Sequence, residues 1–192
     1  YFTTFGGFLA LTSWLPTYWK AFIGLETVMA GTLTALYSIL ASIVRIFGGK
    51  FADRLGGEKT VLISLGITLA GTLLMAFSGM LATSLLAVVI MAAGMGISNA
   101  AVFKLVPQEV PKAVGGASGW IGGLGAFGGF TLPPLLGAIV AAQGQQGYAS
   151  GFFLFVLLVV LSLGLAFLLS GAHAAARKPV APAEKTMEDQ HA

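Results

Sequence analysis

Cysteine is absent from the chain, so disulfides, thiolate metal sites and cysteine nucleophiles are excluded. Charge is nearly as scarce. Asp, Glu, Lys and Arg make up 9% of the 192 residues, where an ordinary soluble domain carries about a quarter. Histidine occurs only as His173 and His191, both near the C-terminal end. Glu26, Asp53, Glu58 and Glu109 flank apolar runs and none lies inside one. No Ser/His/Asp set, metal-ligand cluster or phosphate-cradling loop can be assembled from these residues. The reading is of a non-enzyme that needs no cofactor and no metal. A buried carboxylate of the kind that carries protons through a membrane is missing as well. The net charge of +3 is modest and follows the loops, as topology requires, rather than forming a nucleic-acid-binding face.

The remaining sequence is apolar, with 57% hydrophobic residues. Its runs are long and nearly free of charge. They suit membrane-spanning helices and not barrel strands, whose hydrophobicity alternates over about ten residues. The expected fold is an all-α membrane protein with six transmembrane helices, near residues 1–19, 27–51, 60–77, 84–106, 113–142 and 148–170. Trp14, Tyr18 and Trp19 end the first helix as an interfacial aromatic belt would. Pro133 and Pro134 interrupt the fifth, and Pro107 and Pro111 bracket a short connection after the fourth. From Gly171 the composition shifts to Ala, Pro, Lys, Glu and His, which cannot fold on its own. The chain therefore divides into a transmembrane domain, 1–170, and a disordered tail, 171–192. Lys50, Arg54 and Lys59 lie in one connection, Lys112 in the next but one, and Arg177, Lys178 and Lys185 in the tail. The other connections contribute only Lys20. The positive-inside rule places the Asp53 turn, the 107–112 loop and the tail in the cytoplasm. Tyr1 already stands in an apolar run, and the expectation is of a fragment that lacks its preceding part.

One arginine stands inside a span. Arg45 follows an apolar run that begins near Thr27, and a cation in the hydrocarbon costs about 2.5–3.5 kcal/mol on insertion scales. Such residues usually face a bundle interior or a water-filled path. Snorkelling to the headgroups and pairing with a carboxylate are the other ways to hold it, although no span here offers a carboxylate. Thr34, Tyr37, Ser38, Ala41, Ser42 and Arg45 give the second helix a semi-polar stripe, and Tyr1, Phe5 and Phe8 share a face of the first.

Two motifs carry more. The segment GGKFADRLGGEK, 48–59, lies between two spans on the expected inner side. It resembles the cytoplasmic loop signature of the major facilitator superfamily, a Gly-x-x-x-Asp-Arg-x-Gly pattern. Gly56 and Gly57 permit a tight turn. Asp53 can sit at the N-terminus of a neighbouring helix, where the partial positive charge favours a carboxylate; the helix that starts at Ala113 is the expected one. A merely solvated turn is the plainer reading. The position after the second glycine, usually arginine in this signature, is Gly57 here. The segment GGASGWIGGLGAFGGFTLPP, 115–134, is dense in glycines spaced by three or four, which let helix backbones approach closely. With Arg45, FKLVP in helix four and YFTTF in helix one, it resembles the second half, helices seven to twelve, of the nitrate/nitrite porter family.

That resemblance implies specific roles. Arg45 would bind the substrate anion. Tyr1 and Phe5 would line its site, and Gly119 and Gly122 would lie where a helix passes it. Asp53, Arg54, Gly125 and Gly128 would have gating and structural roles. The implied function is secondary active transport of nitrate or nitrite across the inner, plasma membrane by alternating access. The implied partners are the anion, the lipid bilayer and the six-helix first half of the same transporter. Two alternatives remain: a major facilitator transporter of another small organic anion, with Arg45 on its carboxylate, and a non-transporting membrane subunit. The loop charges also predict topology. A cysteine at Gly56 will be labelled by a membrane-impermeant thiol reagent only from the cytoplasm, and one at Gln145 only from outside; labelling of both from one side contradicts the six-helix reading.

Overall fold

The structure, a computed structural model, describes residues 1–176. The first helix, α1, covers residues 2–22: a π turn Phe2–Gly6, the α-helix Gly7–Thr17 and a second π turn Tyr18–Phe22. It is followed by α2, Thr27–Leu55, and α3, Gly57–Ala76. Next come α4, Leu81–Glu109, and α5, Val114–Gln143. A turn at Gly144–Gln146 and one helical turn at Gly147–Ser150 lead into α6, Phe152–Ala176. Helices α2 to α6 are each long and apolar enough to cross a membrane. The path of α1 is close to 30 Å at about 1.5 Å per residue, which also spans a hydrocarbon core.

The helix ends depart from the sequence expectation in several places. The charged segment 48–59 is not a turn. α2 continues through Lys50, Asp53 and Arg54 to Leu55, and Gly56 alone separates it from α3. Gly56 has φ 87°, a left-handed conformation that glycine adopts without a Cβ penalty, while Gly57 is already helical. Pro107 sits within α4, which runs on to Glu109. Pro133 and Pro134 sit inside an unbroken α5. Each proline removes an N–H from the helix ladder, and membrane helices tolerate this when neighbouring groups satisfy the freed carbonyls. α6 also passes Ser170 and ends at Ala176; the rest of the expected tail, 177–192, lies outside the described residues.

Packing is organised around α4, which lies against α2, α3 and the start of α1. α3 packs on α6 as well, and α1 packs on α5 and α2. Small residues set the closest crossings. A Cβ on Gly96 of α4 would fall 2.5 Å from the Ala41 carbonyl oxygen of α2. A Cβ on Gly48 of α2 would in turn fall 2.7 Å from Ile97 Cα. On the other side, a Cβ on Gly6 of α1 would meet the Gly125 carbonyl oxygen of α5 at 2.5 Å, and one on Gly128 would meet Gly6 Cα at 2.9 Å. Without a hydrophobic force between helices in lipid, such close backbone contact is a main source of helix association.

Tyr18 and Trp19 at the far end of α1 are core rather than belt, and Trp14 is half-buried against Tyr148. Tyr18 and Trp19 have 0% exposure. The Tyr18 hydroxyl lies 2.8 Å from Ser84 Oγ, which lies 2.6 Å from Ser78 Oγ, so a buried hydroxyl chain ties α1 to the α3–α4 connection. Phe152 packs edge-on against Tyr18 at 5.7 Å. Burial of these rings follows from the neighbours that close over them rather than from a position at the lipid headgroups.

The glycine crossings generate a paired test. Gly96→Ala will destabilise the bundle by about 1–3 kcal/mol, the usual result of overpacking. Gly31→Ala, whose Cβ meets nothing within 4 Å, will be neutral or stabilising by up to about 1 kcal/mol. Thermal unfolding of the two variants in detergent checks the contrast, and equal effects would contradict the α2–α4 contact.

Candidate functional site

Arg45 lies on α2 ten residues before its end at Leu55 and is half-buried. Its Nη2 donates to the Tyr1 hydroxyl at 3.4 Å. Tyr1 is in turn boxed by rings. Phe5 stacks on it at 4.9 Å with 17° between planes, and Phe103 of α4 meets it edge-on at 5.0 Å. The ladder continues from Phe5 to Phe8 at 6.5 Å and from Phe8 to Tyr37 of α2 at 5.6 Å. Beneath Tyr1 lies buried Gly125 of α5, where a Cβ would run into the ring. Four elements therefore meet at one side chain: α1 supplies Tyr1, α2 the guanidinium, α4 an aromatic edge, and α5 a bare backbone.

Chemically this is a cation with planar donors beside aromatic walls. A guanidinium offers two parallel N–H groups to a flat oxyanion. The rings supply the apolar surround that excludes water and strengthens such bonds. The stripe on α2 divides: Thr34, Tyr37 and Ala41 are buried in the packing, while Ser38 and Ser42 stand on the open side with Arg45. The hydroxyls of Thr34, Ser38 and Ser42 donate back to carbonyls four residues earlier.

Of the residues expected at the site, Arg45, Tyr1 and Phe5 come together. Gly119 and Gly122 do not join them; the space before both is open. Gly119 instead lines an open hollow of about 420 Å³ with Gly116, Trp120, Gly123 and Leu124, and Trp120 is 73% exposed. Gly125 and Gly128, expected to be structural, form the α1–α5 crossing. Asp53 departs most. It lies in the last turns of α2, forms an ion pair with Lys104 of α4, and does not cap α5, whose N-terminus has no side-chain cap. The reason is that α2 continues as helix beyond Phe51, so the carboxylate is carried to α4 rather than to α5. Arg54 is the basic residue of the last turn of α2, where a cation complements the helix dipole. Sequence reading did not single out Phe103 or Lys104 as site residues, although FKLVP was part of the resemblance; an aromatic beside a lone cation near a helix end was the available signal.

The family model described as Major Facilitator Superfamily matches residues 1–133. The chain belongs to the Major Facilitator Superfamily. As such it is a multi-pass membrane protein of a transporter family. It is similar to a probable nitrate/nitrite antiporter NarK1 of Thermus thermophilus, 35% identical over 84% of this chain and 40% of that protein. A nitrite extrusion protein of Bacillus subtilis is 36% identical over 79% of this chain and 38% of its own length. A probable nitrate/nitrite transporter NarK2 of Mycobacterium tuberculosis is 34% identical over 81% and 40% respectively. The chain thus spans about two fifths of the curated relatives it matches.

The Asp53–Lys104 pair is solvent-accessible on both sides, at 56% and 45% exposure. Exposed pairs are worth about 0.2–1 kcal/mol. Asp53→Asn and Lys104→Gln will each lower thermal stability slightly, and the double variant will cost no more than the larger single. Strict additivity in that double-mutant cycle would show that the two side chains do not interact.

Proposed function

We propose that this chain is the six-helix second half of a plasma-membrane nitrate/nitrite transporter that works by alternating access. The observation that carries the reading is the Arg45–Tyr1 contact inside a ring of aromatic side chains. Arg45 takes the anion by a bidentate, charge-assisted pair of hydrogen bonds. Nitrate is planar, monovalent and weakly hydrated, so a guanidinium beside flat rings suits it. Tyr1 holds the guanidinium when the site is empty and can turn its hydroxyl to the anion when it is filled. The names of the relatives support the substrate class.

On this reading the remaining helices come from a six-helix first half that closes the open faces of α2 and α5. The anion lies between the halves near the bilayer midplane, and rocking of one half against the other opens it to each side in turn. The glycine-rich face of α5, with Trp120 and the open hollow beside it, is the surface that slides. The tail is cytoplasmic, as the loop charges place it. Gly119 and Gly122, about two turns and one turn before Gly125, come to the anion only as that first half closes over them.

The test is Arg45→Lys in the full-length transporter, with nitrate uptake and membrane abundance measured together. Lysine keeps the charge but supplies a compact, strongly hydrated ammonium and no planar fork. Losing one charge-assisted hydrogen bond, worth about 1.5–3 kcal/mol, will lower affinity tenfold or more, at about 1.4 kcal/mol per factor of ten. Wild-type affinity and rate in this variant would remove Arg45 from the site. Competition by small carboxylates stronger than that by nitrite would favour the organic-anion alternative.

A further inference from the structure

Resting on the transport reading above, we infer that the seam between α1 and α2 is the access track of the anion from the outer side, with Lys20 as its recruitment point. Lys20, in the last turn of α1, is the only cation at or between the helix ends that the loop charges place outside, and it is exposed. It lines a cleft of about 530 Å³ between the outer ends of the two helices, with Thr17 of α1 and Thr27 and Gly31 of α2. Glu26, the one carboxylate there, stands at the start of α2 and is not among the residues lining the cleft.

From that cleft the seam leads inward to the anion site. On α2, Thr27, Gly31, Ser38, Ser42 and Arg45 fall at spacings of four, seven, four and three, which keeps them on one helix face at 3.6 residues per turn. This face lies between the buried stripe of Ala30, Tyr37 and Ala41 and the exposed apolar stripe of Leu36, Ile39 and Ile43. A second hollow of about 380 Å³ sits along it at Ser38 and Ser42, walled by isoleucines. α1 follows on the opposite bank. Thr12 Oγ1 lies 3.3 Å from Ser38 Oγ, and Tyr1 meets Arg45 at the inner end. The track therefore starts at one cation and ends at another, with small or hydroxyl-bearing residues between them on α2.

The chemistry suits a small, weakly hydrated inorganic anion. The hydroxyls along the track back-bond to carbonyls already used by the helix, so each can rotate to donate to a passing anion without orphaning a carbonyl. The isoleucine wall offers no donor, so the anion does not rest there. A positive charge at the mouth of a cleft raises the local concentration of an anion and its association rate, and the effect falls with ionic strength.

The experiment uses the full-length transporter in oriented vesicles, with initial rates of nitrate uptake and efflux. Ionic strength is set with a gluconate salt at about 0.01 M and about 1 M, where charges act over about 30 Å and about 3 Å. Lys20→Glu will raise KM for uptake by about threefold or more at low ionic strength. It will leave uptake kcat and efflux KM unchanged, and the effect will vanish at high ionic strength. Lys20→Arg will behave as wild type. Gly31→Leu extends a side chain into the cleft from a Cβ that meets nothing within 4 Å, and at membrane abundance matched to wild type it will lower uptake kcat/KM at both ionic strengths. An unchanged uptake KM in Lys20→Glu at low ionic strength overturns the inference. So does an equal change in uptake and efflux KM, or wild-type kcat/KM in Gly31→Leu. If the unaltered protein moves no nitrate at all, the transport reading fails and the track fails with it.

Discussion

A guanidinium inside an apolar helix has to be held, and the hold on Arg45 orders much of what surrounds it. At about 2.5–3.5 kcal/mol for a lone cation in a span, the chain needs a polar partner that is not itself charged. Tyr1 meets that need from α1. Its ring in turn requires a wall on each side, which Phe5 and Phe103 supply, and a floor without a Cβ, which Gly125 supplies. A carboxylate partner would neutralise the arginine and leave nothing for an anion to bind. A phenol holds the side chain by one bond of 3.4 Å and leaves its remaining N–H groups available.

Glycine does the complementary task on the backbone. The α2–α4 crossing at Gly48 and Gly96 and the α1–α5 crossing at Gly6, Gly125 and Gly128 bring main chains closer than any side chain permits. These crossings flank the Arg45–Tyr1 contact, so the helices that carry the site are locked where it lies. Gly119 and Gly122 face open space. One helix therefore carries glycines of two kinds: those that fasten it to its own bundle, and those that leave a face open.

Much of this was legible in the sequence, and the misses have physical causes. Span number and the lone cation follow from hydropathy and charge alone, because each intramembrane charge is costly enough to stand out. The aromatic trio on α1 follows from its spacing. The segment 48–59 was misread as a turn because its charges and glycines imitate a loop; α2 stays helical through Leu55 because its ladder is intact until Gly56 adopts positive φ. The double proline was misread for a related reason, since in lipid a helix with two missing donors is still better satisfied than a broken one. The aromatic end of α1 was assigned to an interface because composition cannot tell a ring that faces lipid from one that faces a neighbouring helix. Phe103 was overlooked because a phenylalanine in an apolar run carries no mark until the fold brings Tyr1 against it.

The ion pair at the inner end follows from the same helix continuity. A carboxylate in a loop could reach the N-terminus of α5. A carboxylate two turns beyond Arg45 on a straight α2 is fixed to that helix and meets Lys104, the residue next to Phe103 on α4. α2 and α4 are therefore joined twice within a short length: at the candidate site through Tyr1, and near the end of α2 through charge. The ion pair does not call on α5, whereas the joint through Tyr1 rests on the bare backbone of Gly125. Such a pair ties α2 to α4 within the bundle. A hinge or slip between α2 and α4 would move Arg45 away from the rings that surround Tyr1, since Phe103 lies on α4 and the guanidinium on α2.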